Sequence, residues 1–260
     1  MKTFFLYILI LIGINCCYAQ LEFVSERDIK TDNFFIDILG NEYLYSKKSL
    51  QKTDIQTNKI VVYDTKKYGT LTSIDISNPL STLLFYEESN IIVFLDNYLA
   101  EQRSAINLDD LGLFGLSCVC NSHRGFWIFD NQQCNVNLIS KDLNIIQKGT
   151  NLYSIIEINQ PTRMLETNNF LVLQINNSKL IILDKFGNYY KSILTHNLSF
   201  FDVFNDDIFT IEDKKMKKYS LSDNNEFEFD LPQVADIQSF NIYKNYLFLL
   251  TKEKLIKYKF

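Results

Sequence analysis

The sequence predicts an all-β fold: a six-bladed β-propeller of four-stranded antiparallel blades, closed into a ring by the two ends of the chain. Three observations predict it. Short apolar runs rich in Ile, Val, Phe and Tyr recur about every forty residues; none of them carries a 3.6-residue period; and a lone strand candidate near residue 21 matches a strand missing at the end of the chain. The 260 residues are 47% hydrophobic and 22% charged, which suits a core-forming chain and excludes a disordered one. Eight Gly and three Pro exclude collagen-like and low-complexity classes.

The first element is an address. Lys2 gives a short positive start, Phe4 to Ile14 is apolar, and Cys17-Tyr18-Ala19 places small residues before a cut between Ala19 and Gln20. Residues 1-19 thus read as a cleaved signal peptide and 20-260 as a single propeller domain. The apolar stretch would span roughly 17 Å at about 1.5 Å per residue, short of the ~30 Å of a hydrocarbon core, so no transmembrane span is expected. Cys16-Cys17 offers a second reading, a lipoprotein, against which Asn15 stands as a bulky polar residue where a small one is wanted. Losing Lys2 leaves 25 of the 26 basic residues against 31 acidic ones, a net charge of -6. With four arginines among them, no basic field exists to gather phosphates, and nucleic acid is not an expected partner. Cleavage also leaves three cysteines, Cys118, Cys120 and Cys134, an odd number that leaves at least one thiol unpaired and makes structural burial the expected role.

The repeats follow in order. Taking Tyr43, Leu84, Trp127, Leu171, Phe209 and Leu247 as equivalent positions, the intervals are 41, 43, 44, 38 and 38 residues. Each unit after the first pairs two short runs across a polar turn, as in Thr82-Tyr86 with Asn90-Leu95, and carries a strand before and after, as in 71-77 and 100-106. Four short strands per forty residues is a propeller blade, and unbroken apolar middle strands suit sheets buried on both faces. The first repeat is the least regular, with 51-59 polar, so five blades is the alternative. The last repeat ends after its third strand. Residues 21-28 are therefore expected to pair with 254-260, completing the last blade and leaving the ring without an open edge.

Leu180-Ile-Ile-Leu-Asp-Lys-Phe-Gly-Asn-Tyr-Tyr190 and Ile92-Val-Phe-Leu-Asp-Asn97 resemble phrases of NHL-type and YVTN-type repeats, and the chain from 21 to 260 is similar in architecture to small exported bacterial six-bladed propellers without an assigned activity. The Gly-His and Trp-Asp pairs of WD40 repeats are absent, the lone Trp127 being followed by Ile128. The resemblance implies the fold and carries no functional residues.

Phosphate-loop, dinucleotide, zincin and EF-hand motifs are all missing. The nearest approach to a nucleophile elbow, Gly115-Leu-Ser117-Cys118-Val119, lacks its second Gly and reads as a core strand. His123 and His196 fall in loops. Acidic residues able to reach a channel opening, with one arginine, are Asp75, Asp109, Asp110, Arg163 and Asp202; converging carboxylates there could hold a divalent cation, as in propeller lactonases. The expectation is an exported, periplasmic or extracellular binding or scaffolding propeller without cofactor, a monomer or weak complex component whose partner is an envelope protein, peptide or glycan. The alternative is a metal-assisted hydrolase or lactonase at the channel mouth.

Overall fold

The computed structural model describes residues 21-46, 49-156 and 160-260; the expected cleavage site at Ala19 and Gln20 lies outside them. Twenty-four strands form six four-stranded antiparallel sheets. Five blades are contiguous, running over 33-64, 73-107, 119-148, 161-194 and 201-230. The sixth takes its three inner strands from the end of the chain and its outer strand from the beginning.

That outer strand, β1 (Glu22–Asp28), pairs antiparallel with the last strand, Lys254–Lys259. The register runs from Glu22 opposite Lys259 to Asp28 opposite Lys254, with one irregularity between Phe23 and Ser25. Phe23 stands edge-on to Tyr258 at 6.0 Å, Lys254 meets Glu26 at 2.6 Å, and the Ile29 N–H donates to the Glu253 carbonyl. The closure read from the sequence is the one observed.

The first repeat is a full blade, which makes six. Its polar stretch folds because Ser49–Thr53 alternates, burying Leu50 and Lys52 on one face and leaving Ser49, Gln51 and Thr53 partly exposed on the other. The Lys52 ammonium crosses to the second blade, donating to the backbone and side-chain oxygens of Asn97. The expected strand over 100-106 shrinks to Ile106–Asn107 and a single bridge between Leu95 and Glu101. Local side-chain bonding wins there: the Asp96 carboxylate ties the N–H groups of Tyr98 and Ala100 into a turn, and Arg103 leaves the ladder to stack over Phe94 and bond the Lys141 carbonyl.

The six positions aligned from the sequence all lie on the second strand of their blades and are buried. Six apolar clusters of described residues sit one at each blade boundary. Cys118, Trp127 and Val136 of the third blade pack on Met164, Leu171 and Leu183 of the fourth, for example, and Phe34 and Ile36 of the first pack on Phe248, Leu250 and Leu255 of the sixth. The three cysteines are free and buried, and burial pushes the Cys118 thiol up to about 12, so they act as small apolar side chains.

Repeated Asp-x-x-Gly-Asn turns shape the loops. In 37-41 and 184-188 the Asp carboxylate accepts N–H groups two and four residues on, while Gly40 and Gly187 take the left-handed backbone at φ +93° and +79°. Gly125 has a stricter reason. Its φ is +152°, and a Cβ there would lie 1.9 Å from the Ile139 carbonyl oxygen across the hairpin. Gly125→Ala is expected to cost on the order of 3 kcal/mol or more, read from urea unfolding; a loss below about 1 kcal/mol would show that the hairpin relaxes freely.

Candidate functional site

The first strand of every blade lies innermost, so side chains from six blades meet around one axis. At the end where these strands run into their first turns the axis widens into a cavity of about 640 Å³. All six blades line it, from Ile36 and Asp37 of the first to Asn241 and Tyr243 of the sixth. This is the size range of small-ligand sites.

Most polar groups around the axis tie neighbouring inner strands together. The Asp75 carboxylate accepts the N–H of Ser77 at 2.8 Å and, from the next blade, the N–H of Asn121 at 2.8 Å. The Asn121 amide returns to the Ser81 carbonyl. One oxygen of Glu166 receives the Trp127 indole N–H at 2.8 Å and the Ser122 hydroxyl at 3.0 Å. Asp202 accepts both the Asn241 amide and the Ile242 N–H at 2.8 Å, and the Asn241 carbonyl oxygen accepts the Ile36 N–H at 2.6 Å. These bonds bridge the second blade to the third, the third to the fourth, the fifth to the sixth and the sixth to the first.

Burial dominates the electrostatics. Asp202 is pushed up to about 6 by desolvation, against the pull of its N–H donors and Arg163. Glu166 is raised by the same cause, opposed first by its Trp127 and Ser122 bonds. Arg163 falls to about 10, again by desolvation, with Asp202 and Asp75 opposing, and stays charged at neutral pH. Its guanidinium lies 3.7 Å from the centroid of Phe200 and 5.3 Å from that of Phe201. Phe200 packs against both the first-to-second and the fifth-to-sixth blade clusters.

Of the residues singled out from the sequence, Asp75, Arg163 and Asp202 line the cavity together, although they sit on three different blades. Asp109 and Asp110 do not. They occupy an exposed 3-10 turn, Asp109–Leu111, on the connection from the second blade to the third, at the opposite end of the ring. There Asp109 accepts the Asn90 amide. His123 is exposed at the cavity rim, and His196 lies on the opposite face in a shallow depression with Asn176 and Asn197. Asn121, Glu166, Asn241 and Phe200 escaped the sequence reading, since nothing local distinguishes them from other strand residues. Among the described residues no group of three or more His, Cys, Asp or Glu is placed to hold a metal ion.

No protein-family model matches the chain, and no curated protein matches its sequence. Solved structures do match in shape. A streptogramin B lyase superposes with a TM-score of 0.55 at 12% identity over 93% of this chain and 98% of its own. Virginiamycin B lyase from Staphylococcus aureus, as a catalytically inactive variant with quinupristin, gives 0.58 at 12% over 91% and 99%. The Pan2 WD40 domain of Neurospora crassa gives 0.60 at 10% over 85% and 72%. The chain is a six-bladed β-propeller. At these identities the likeness is one of fold, shared by a lyase and a WD40 domain alike, and no residue role transfers with it.

The elevated Asp202 carboxyl makes a stability prediction with a definite sign. Its folded pKa lies above the unfolded value near 3.9, so its contribution is complete below that value and is lost as pH rises through about 6. Asp202→Asn should therefore gain in melting temperature relative to the parent between pH 5 and pH 7.5, followed by calorimetry at both. An equal difference at the two pH values would show that Asp202 ionises normally.

Proposed function

We propose that the protein is an exported, non-catalytic binding propeller that seats its partner, an envelope protein, peptide or glycan, at the channel-mouth cavity. The observation that carries this reading is the use made of the carboxylates there. Asp75, Glu166 and Asp202 each accept bonds that fasten one blade to the next, which suits girders of a binding scaffold better than a poised acid and base.

The rim supports the same face. Ile38, Leu39, Ile55, Leu80 and Tyr98 are each more than half exposed on the mouth-side turns of the first two blades. The Ile55 N–H is bonded to Asn41, and Lys59 stands over the Tyr98 ring, which draws these turns together. On the other blades the first turns are polar, with His123, Arg124, Asn168 and Asn205. An opening apolar on one side and polar on the other is the composition of a recognition surface.

Export supplies its own check. N-terminal sequencing of the chain recovered from its native compartment should find Gln20 first; recovery of an intact Met1 end in the cytosol would overturn the export half of the proposal. For the binding half, the protein is purified from crosslinked native cells as parent, as Ile38→Asp with Leu80→Asp, and as Glu88→Lys on the opposite face. A stoichiometric partner, retained by the Glu88 variant and reduced at least tenfold in the rim variant, is the expected result. One metal ion per chain with no partner would overturn the reading.

A further inference from the structure

Among the described residues the channel contains one cation, Arg163, whose hydrogen bonding is unspent. Among the described residues the Arg163 guanidinium makes no hydrogen bond and no ion pair, and its neighbours are two aromatic rings and two carboxylates held elsewhere. A guanidinium has five N–H donors in one plane, and an arginine enclosed by protein normally spends them. At 3.7 Å from the Phe200 centroid the cation lies over the ring face, which leaves the edge of the fork open to the cavity. The carboxylates around it do not close the fork. Both Asp75 oxygens take backbone N–H groups, and one Asp202 oxygen takes two donors from the sixth blade.

Resting on the proposal that this mouth is the binding face, we infer that Arg163 is the receptor for a carboxylate carried on an apolar stem. The carboxylate reaches the floor of the cavity and takes two N–H donors from the guanidinium edge. Its stem passes the apolar wall of Ile36, Ile38, Ile76 and Pro79, all of which line the opening, and leaves over the exposed Leu39 and Leu80. Planar, bidentate recognition of a carboxylate is what arginine does and lysine does not. Phe200, packed against the clusters of two blade boundaries, stacks on the Arg163 guanidinium and holds it where an anion entering from the mouth meets it. Two sources fit this chemistry, the C-terminus of a polypeptide and a fatty acid, and the experiment separates them.

Charges facing Arg163 give the site a pH dependence. Its own strand contributes Glu166 toward the mouth, the fifth blade Asp202, the second blade Asp75 and the first blade Asp37, with His123 at the rim. Asp202 takes up a proton as pH falls through about 6, removing a negative charge beside the bound anion, while a chain-terminal carboxyl, with its pKa near 3.5, stays ionised. Affinity for the carboxylate should rise between pH 7.5 and pH 5.5.

The test titrates the purified protein with acetyl-Leu-Phe as free acid and as C-terminal amide, and with octanoate and octanamide, following the arginine Nε–H resonances and the heat of binding. One acid should bind about 10 to 100-fold more tightly than its amide, with one arginine resonance shifting. The peptide acid winning assigns a chain terminus, octanoate a fatty acid. Arg163→Gln should abolish the difference between acid and amide, and Arg163→Lys should restore less than half of it; the unchanged melting temperature of the lysine variant guards against misfolding. Acid and amide binding equally, or an acid preference that survives Arg163→Gln, would overturn the inference while leaving the mouth as a binding face. Failure of both acids to bind at millimolar concentration overturns it as well, and a partner whose capture is indifferent to the rim variant is the separate failure of the underlying reading.

Discussion

Everything in this molecule depends on the ring being closed by the pairing of residues 22–28 with residues 254–259. Each blade is a sheet with apolar side chains on both faces, so it is stable only between two neighbours. A ring of six supplies two neighbours to every blade, but only if first and last are held together. Strand pairing does this by making the last blade from both ends of the chain, so that separating the ends also breaks a sheet. The closure entropy for so long a loop grows only with the logarithm of its length, whereas the paired strand brings its full ladder, the Phe23–Tyr258 contact and two ion pairs, one of them from Arg27 to Glu42 of the first blade.

Inside the ring the constraint is different. The inner strand of each blade has one edge without a strand partner in its own sheet, and several of the N–H groups on that edge are buried. Buried donors need acceptors, and the acceptors come from neighbouring blades: Asp75 for Asn121, Asp202 for Ile242, Asn241 for Ile36. The acidic residues near the axis are thus consumed in assembling it. Desolvation raises Asp202 and Glu166, and their hydrogen bonds hold that shift in check. Perturbed carboxylates in a cleft often mark catalysis, yet here the same perturbation accompanies a structural duty.

Arg163 stands apart from that network. It lies on an inner strand like the others, but its side chain stacks on Phe200 and makes no hydrogen bond among the described residues, and it lines the cavity at the mouth. The apolar first turns of the first two blades and the polar first turns of the other four give the opening two chemically distinct sides. Shape, charge and rim together make a seat for a ligand with an apolar body and an anionic end.

How much of this was legible in the sequence follows from the range of each interaction. The forty-residue period, the hairpins and the strand shared between the two ends are properties of local alternation and of a count of strands, and residues 21-28 could be matched to 254-260 because one strand was missing at one end and spare at the other. The polar first repeat hid a strand, since the burial of Lys52 depends on Asn97 in another blade. The site was half legible. Asp75, Arg163 and Asp202 meet although 39 or more residues separate each from the next, while Asp109 and Asp110 stand at the far end, because strand direction alone decides which end of the ring a loop serves. Sequence by itself determined the blades and the order in which they close, since these rest on period and pairing. Only the tertiary structure decided which acidic groups face one another, that they are spent on blade-to-blade bonds, and that among the described residues one arginine is left with its donors open, because those facts depend on distances between residues from separate blades.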